Sequence, residues 1–200
     1  MDGPFIIIKD AISKNYENEI HSIFNGRNSV PWHLDHETTQ EGKDIEITSV
    51  MYHMAFYHKY GGVTSDVFDR VKPALWQIIE KAGLPFREFL QIRAIIQFPV
   101  ITSRTHNFIH TDLEERNHPQ LTYYTGVYYV HGDTDGETVL FDEMAYDIPF
   151  QQVQSHYKEF KEIGRVFPEK GKAVMFSGQR YHCSTLPTKK TRTILNFSWC

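Results

Sequence analysis

Residues 121–143 read LTYYTGVYYVHGDTDGETVLFDE and contain two runs typical of β-strands around one turn. The runs LTYYTGVYYVH (121–131) and TVLFDE (138–143) are short and rich in β-branched and aromatic residues. Between them lies Asp135-Gly136, a pair that favours a tight turn. Two such runs so close together predict β-structure in this part of the chain.

Runs of the same kind occur on both sides of this stretch. They are LQIRAIIQFPV, NFIHTDL, GKAVMFSG and RTILNFSW. Helical patterns are confined to the first half of the chain, at NYENEIHSIFNG (15–26) and TSDVFDRVKPALWQIIEKAGLP (64–85). In the second of these we expect Ser65 to cap the helix and Pro73 to kink it or to begin another helix. The sequence therefore predicts an α+β chain that ends in a β-sandwich or barrel.

Composition limits the class of protein. The 200 residues are 40% hydrophobic and 14% aromatic, which is enough to build a core. A net charge of −4 gives no indication of nucleic-acid binding, and no apolar run is long enough to cross a membrane. With only two cysteines and no signal-peptide pattern, we expect a soluble cytoplasmic protein. The sequence does not predict its oligomeric state.

The stretch NFIHTDL (107–113) carries the first indication of chemistry. Its alternation predicts a strand that places His110 and Asp112 on one face, about 7 Å apart. This pair could provide two ligands of a metal ion, or it could be a surface ion pair. A frequent iron site has two histidines and one carboxylate on one face of the metal. Of the later histidines, we expect His118 and His156 at the surface, whereas His182 lies between two predicted strands.

Arg192 begins the predicted strand RTILNFSW, and on it Arg192, Ile194 and Asn196 share one face. An arginine that points into an apolar barrel is costly unless it meets an anion. The planar guanidinium is well suited to bind a carboxylate through two hydrogen bonds.

These residues together resemble a known family. The order of His-Thr-Asp at 110–112, His182 seventy-two residues after His110, and Arg192 ten residues later is similar to the iron(II)- and 2-oxoglutarate-dependent dioxygenases. The prolyl 4-hydroxylase-like branch resembles the chain most, through YYVHGDTDGETVLFDE (128–143) and VFPEKGKAVMF (166–176). The resemblance is good over residues 90–198 and weak before them.

The resemblance implies a double-stranded β-helix, or jelly roll, in which His110, Asp112 and His182 bind Fe(II). It also implies that Arg192 binds the distal carboxylate of 2-oxoglutarate with help from a strand tyrosine, Tyr129 in preference to Tyr123 or Tyr128, and that O₂ is the oxidant. Two positions depart from the family pattern, Ile194 two residues after the arginine and Phe98 before the first motif. Arg104 and His106 are candidate contacts at the substrate mouth.

The expected domain is a single unit over residues 1–200, with a helix-rich N-terminal support region at 1–89 and a jelly-roll catalytic core at 90–200. The expected function is hydroxylation of a prolyl or other side chain, with release of succinate and CO₂. The substrate could be a peptide, a protein or a small molecule. Two alternatives remain: a non-catalytic cupin-like protein that binds a metal or small ligand, and a scaffold that uses the histidine-rich segment 33–58.

Overall fold

The computed structural model describes residues 3–26, 30–35, 50–100, 105–113, 120–132, 134–148, 152–153 and 159–200. Eleven strands and two α-helices follow one another along these residues: β1 (Phe5–Ile8), α1 (Lys14–Asn25), β2 (His33–Asp35), β3 (Val50–Tyr57), β4 (Gly62–Val63), α2 (Val67–Ala82), β5 (Phe89–Gln97), β6 (Tyr124–Tyr129), β7 (Thr138–Met144), β8 (Glu162–Val166), β9 (Ala173–Ser177), β10 (Arg180–Ser184) and β11 (Arg192–Trp199). A 3₁₀ turn at His58–Tyr60 joins β3 to β4.

The strands form two antiparallel sheets. The larger has the order β1-β9-β6-β11-β5-β3-β2, with β4 paired to β3, and the smaller has the order β10-β7-β8. One apolar cluster contains residues of both sheets, among them Tyr129 and Ile194 from the large sheet and Leu140 and Val166 from the small one. The expected jelly-roll arrangement is therefore present, with its inner core between the two sheets.

The strand β11 separates the inner core from the helix layer. Its residues alternate as the sequence predicts, because Ile194 belongs to the inner cluster while Leu195 and Phe197 belong to the cluster that includes both helices. All eight residues of β11 are buried. Arg192 and Asn196 therefore share the inner face with Ile194.

The N-terminal region is less helical than expected. Its strands β1 to β4 belong to the large sheet, so residues before position 90 extend the β-structure as well as supporting it. The predicted helix near 64–85 is a single helix that begins at Val67 after Asp66 and contains Pro73. It continues through the proline because Val71, Leu75 and Ile78 are fully buried in the core. Ser65 lies one residue before the cap, where its hydroxyl accepts a hydrogen bond from the Val67 amide at 3.3 Å.

None of the helices in the described ranges combines the length and apolar character that a membrane span requires. The sequence offers no clear assignment for the polar, histidine-rich segment 28–62. Residues 30–35 and 50–62 of this segment are described, and the rest lies outside the described residues.

Candidate metal and cosubstrate site

His110 and His182 face each other across two backbone segments. Each backbone N–H donates to the other residue's carbonyl at 3.0 Å, and the two rings lie 4.6 Å apart between centroids. The prediction of a regular strand around His110 is wrong, since the pairing of residues 105–113 consists of two isolated bridges, His106 to Thr185 and His110 to His182. Four residue steps separate His106 from His110, whereas only three separate His182 from Thr185. The extra residue shifts the register by one and interrupts the pairing.

Both imidazoles are oriented by hydrogen bonds from Nδ1 to backbone oxygens. His110 Nδ1 lies 2.9 Å from the Phe108 carbonyl, and His182 Nδ1 lies 3.1 Å from the Arg180 carbonyl. A carbonyl oxygen only accepts, so Nδ1 must carry the proton and Nε2 keeps its lone pair. This is the tautomer in which Nε2 can bind a metal ion.

Asp112 completes a group of three possible metal ligands. Its Oδ1 lies 3.9 Å from His110 Nε2, and its Oδ2 lies 3.5 Å from His182 Nε2. One ligand atom from each residue lies within 4.8 Å of the others. Burial and, to a smaller extent, the neighbouring His182 lower the pKa of His110 to about 4, so His110 is neutral at pH 7. Two imidazoles and one carboxylate suit a divalent transition metal.

The Asp112 carboxylate is held from the large sheet. Arg93 Nη2 donates to Oδ1 at 2.8 Å, and Asn196 Nδ2 donates to Oδ2 at 3.1 Å. Arg93 and Asn196 are direct partners in the β5–β11 pairing, so their side chains emerge side by side on the inner face. Burial alone would raise the pKa of Asp112, but His182, Arg93 and His110 together lower it well below its usual range.

Arg192 lies on the same face, four residues before Asn196, which separates their Cα atoms by about 13 Å at the usual rise of a strand. Its Nη1 donates to Gln97 Oε1 at 2.8 Å, and its Nη2 donates to Thr138 Oγ1 at 3.0 Å. The residue is 3% exposed, and within the described part of the chain it forms no ion pair with a carboxylate. Its Nε is also buried and has no acceptor among the described residues. A buried cation with only neutral partners is a suitable receptor for an anion.

Gly136 provides the space for the Arg192 side chain. A β-carbon at position 136 would lie 2.5 Å from Cδ of Arg192. The turn that the sequence predicts at Asp135-Gly136 therefore has a second role, because it admits the arginine into the inner core.

Of the three candidate tyrosines, Tyr129 is the one beside Arg192. The guanidinium carbon lies 5.7 Å from the Tyr129 ring centre, and the Tyr129 hydroxyl donates to Thr138 Oγ1 at 2.7 Å. Burial raises the pKa of Tyr129, so the phenol is protonated at pH 7 and can donate. Tyr128 packs in the helix-side cluster and Tyr123 in a separate one.

A groove of about 790 Å³ opens beside Asp112 and Arg93. It extends along β3 and the 3₁₀ turn, and its walls include Tyr52, Tyr57 and Tyr60. The groove gives a substrate a route to the carboxylate from the side of the first half of the chain.

The remaining predicted residues are placed as follows. His106 forms the bridge to Thr185, and its Nδ1 lies 2.8 Å from the Asn107 carbonyl. Arg104, His118 and His156 lie outside the described residues. The two departures from the family pattern are also placed: Ile194 packs in the inner cluster, and Phe98 follows the last residue of β5.

Sequence reasoning missed the residues that support the charged groups. These are Arg93 and Asn196 at the carboxylate, and Gln97 and Thr138 at the buried arginine. Arg93 carried a signal, because an arginine within the apolar run LQIRAIIQF raises the same question as Arg192.

No protein-family profile and no curated protein matches this sequence. Solved structures match nearly the whole chain. The non-haem α-ketoglutarate-dependent carbocyclase SnoK from nogalamycin biosynthesis is 13% identical with a TM-score of 0.63, over 99% of this chain and 79% of that one. A Trichoplax adhaerens prolyl hydroxylase, in complex with a hypoxia-inducible-factor peptide, is 11% identical with a TM-score of 0.60, over 99% and 84%.

HygX from Streptomyces hygroscopicus, with nickel and 2-oxoglutarate bound, is 12% identical with a TM-score of 0.56, over 98% of this chain and 82% of HygX. The neighbours include 2-oxoglutarate-dependent oxygenases and prolyl hydroxylases. The double-stranded β-helix fold that the sequence predicts is confirmed by this likeness.

Proposed function

We propose that this protein is an Fe(II)- and 2-oxoglutarate-dependent oxygenase that hydroxylates its substrate. The observation that carries the proposal is the coexistence of two sites that side chains on one face of β5 and β11 support: a His–Asp–His group whose carboxylate is held by Arg93 and Asn196, and a buried arginine without a carboxylate partner among the described residues. The fold shared with such oxygenases supports it.

In this proposal His110, Asp112 and His182 hold the iron. The donors Arg93 and Asn196 fix the carboxylate, and the backbone carbonyls fix the two rings, so the ligands are arranged before the metal arrives. Arg192 binds the distal carboxylate of 2-oxoglutarate, and the Tyr129 hydroxyl beside it offers a further donor.

With iron bound, the cofactor supplies the oxidation: 2-oxoglutarate and O₂ are converted to succinate and CO₂, and one oxygen atom enters a C–H bond of the substrate. The chain's own part is to hold the ligands on one side of the metal and to bind the cosubstrate at the buried Arg192. The inner apolar cluster, which includes the neighbouring Ile194, limits the access of water to that side chain.

The substrate is either a prolyl or other side chain of a peptide or protein, or a small molecule. We also propose that residues 1–200 form a single domain and that the protein is cytoplasmic. The non-catalytic cupin-like function is less favoured, because a metal-binding module has no use for a second, buried site for an anion.

The test is an anaerobic titration of the purified protein with Fe(II) and then 2-oxoglutarate, followed by the weak visible band of the chelated cosubstrate. The band should form in the wild type and be lost in His110→Ala, Asp112→Ala and His182→Ala, while His131→Ala, a half-buried histidine elsewhere, retains it. Circular dichroism should report an intact fold in each variant. Iron binding without a band would instead favour the non-catalytic metal-binding protein.

A further inference from the structure

The groove beside the candidate metal site is lined by aromatic side chains, and Arg93 is its one arginine among the described residues. Tyr57 and Tyr60 meet edge to face at 4.8 Å, and Tyr60 is 72% exposed. Flat aromatic walls of this kind bind an apolar or cyclic body. The groove therefore provides apolar contact along its length and a cation where it reaches Asp112.

The guanidinium of Arg93 is only partly used within the protein. Nη2 donates to Asp112 Oδ1 at 2.8 Å, whereas Nε is buried without an acceptor among the described residues. The side chain keeps 27% of its surface exposed, in contrast to 1% for Asp112. Arg93 thus reaches the carboxylate and still presents donors to the groove.

We propose that Arg93 binds a carboxylate of the substrate, which makes the substrate class a small acid or a chain with a free carboxylate near the oxidised carbon. This inference rests on the proposed function. A divalent ion bound by Asp112 compensates the negative charge that Arg93 now faces, and Arg192 is available for the cosubstrate. The positive charge of Arg93 is then no longer paired with a negative charge, and it can bind an anion that enters through the groove.

The position of Arg93 also limits how far the substrate carboxylate can lie from the reaction. Because Arg93 contacts a proposed metal ligand directly, an anion on its free edge lies within about 10 Å of the metal, from ordinary hydrogen-bond and metal–oxygen lengths. The carboxylate is therefore only a few bonds from the oxidised carbon. This favours a free acid over a prolyl residue inside a long neutral peptide.

The acidic residues that the structure describes in the groove do not oppose this assignment. Among the described residues, Asp66 is the second carboxylate that lines the groove besides Asp112. Asp66 is the N-cap of α2, where the positive end of the helix offsets a negative charge, and its Oδ1 accepts a hydrogen bond from the Ser65 hydroxyl at 3.3 Å.

The test compares acids with their uncharged amides by isothermal titration calorimetry. The pairs are N-acetyl-L-proline, 3-phenylpropionate and hexanoate, each with its amide, added to protein that has been saturated with Mn(II) and 2-oxoglutarate. The wild type should bind at least one acid about 10- to 100-fold more tightly than its amide, as expected for a hydrogen-bonded charge pair. Arg93→Gln should remove this preference.

Two further variants make the result specific. Arg93→Lys retains the charge and should keep part of the preference for the acid. A preference kept in this variant shows that its loss in Arg93→Gln is not caused by misfolding. Arg87→Gln removes an arginine whose side chain is 83% exposed and which does not line the groove, so it should keep the full preference. The proposal is overturned if no acid binds, if acid and amide bind equally, or if Arg93→Gln keeps the preference.

Failure of the proposed function would appear elsewhere. It would be seen as the absence of the visible band or of Mn(II) binding in the wild type, before any acid is added. Mn(II) binding is therefore measured in the wild type and in Arg93→Gln before the acids are added, so that the role of Arg93 is judged only on protein whose Asp112 is occupied by the metal.

Discussion

Replacing Arg192 with methionine should weaken 2-oxoglutarate binding far more than metal binding. Methionine is similar in length and keeps the inner core filled, but it cannot pair with a carboxylate. Loss of one partner of a buried, hydrogen-bonded charge pair costs about 2–5 kcal/mol, so the dissociation constant of 2-oxoglutarate should rise about 30- to 4,000-fold. The two residues that accept hydrogen bonds from Arg192 each lose this donor but keep another partner. Gln97 bonds Ser184 at 3.0 Å, and Thr138 bonds Tyr129 at 2.7 Å.

The assay is an anaerobic titration of the Fe(II)-loaded protein with 2-oxoglutarate, with Mn(II) affinity measured separately by electron paramagnetic resonance. Arg165→Met is the matched control, because Arg165 forms its ion pairs with Glu162 and Glu137 at the surface. We expect both affinities of the control to stay within about 2-fold of the wild type. The reasoning is refuted if Arg192→Met lowers metal and 2-oxoglutarate affinity equally, or if it leaves 2-oxoglutarate affinity within about 3-fold of the wild type.

Three further changes test other parts of the structure. Asn196→Ala removes a donor to Asp112 and should weaken Mn(II) binding about 10- to 100-fold, measured by calorimetry; an unchanged affinity would exclude a positioning role. Gly136→Ala places a β-carbon against Arg192 and should weaken 2-oxoglutarate binding about 5- to 150-fold without loss of metal, which titration of each ligand checks. Lys14 and Lys170 hold the pKa of the buried Glu17 below its usual value despite burial, so its stabilising effect is present above about pH 4.5 and is lost as the pH falls through the lowered pKa. Thermal unfolding should therefore separate the wild type from Glu17→Gln at pH 6 and separate them progressively less as the pH falls below about 4.5; a difference that does not change with pH would contradict this.

The alternation along β11 is the part of the site that the sequence predicted best. A strand has a period of two, so Arg192, Ile194 and Asn196 had to share a face once the segment was a strand. The buried arginine then required an anion or polar partners, which follows from the cost of burying a charge. Choosing Tyr129 among three tyrosines depended on the family resemblance, and the structure places it next to Arg192.

The supporting contacts could not be predicted because they depend on register between distant strands. Arg93 and Asn196 are more than a hundred residues apart, and only the β5–β11 pairing brings them together at Asp112. The regular strand predicted for NFIHTDL fails for a similar reason, since the one-residue shift between the bridges at His106 and His110 depends on the opposite segment. In the first half of the chain the helical patterns could be recognised, whereas the short strands β2 and β4 have only 3 and 2 residues and too little periodicity to be recognised.

The positions of the cosubstrate arginine and of the residues that support Asp112 both depend on the register of the β5–β11 pairing. The pair Arg192–Gln97 lies at one end of the β5–β11 ladder, and the pair Asn196–Arg93 lies four residues further along. A slip of one residue would turn a whole set of side chains to the helix face, so register alone keeps the cosubstrate arginine and the carboxylate supports on the same side. Arg93 also pairs with Met54 of β3, which borders the groove. One row of residues across three strands therefore links the groove, the carboxylate and the cosubstrate strand, and a substrate bound by Arg93 would be positioned by the same sheet that positions the metal ligands.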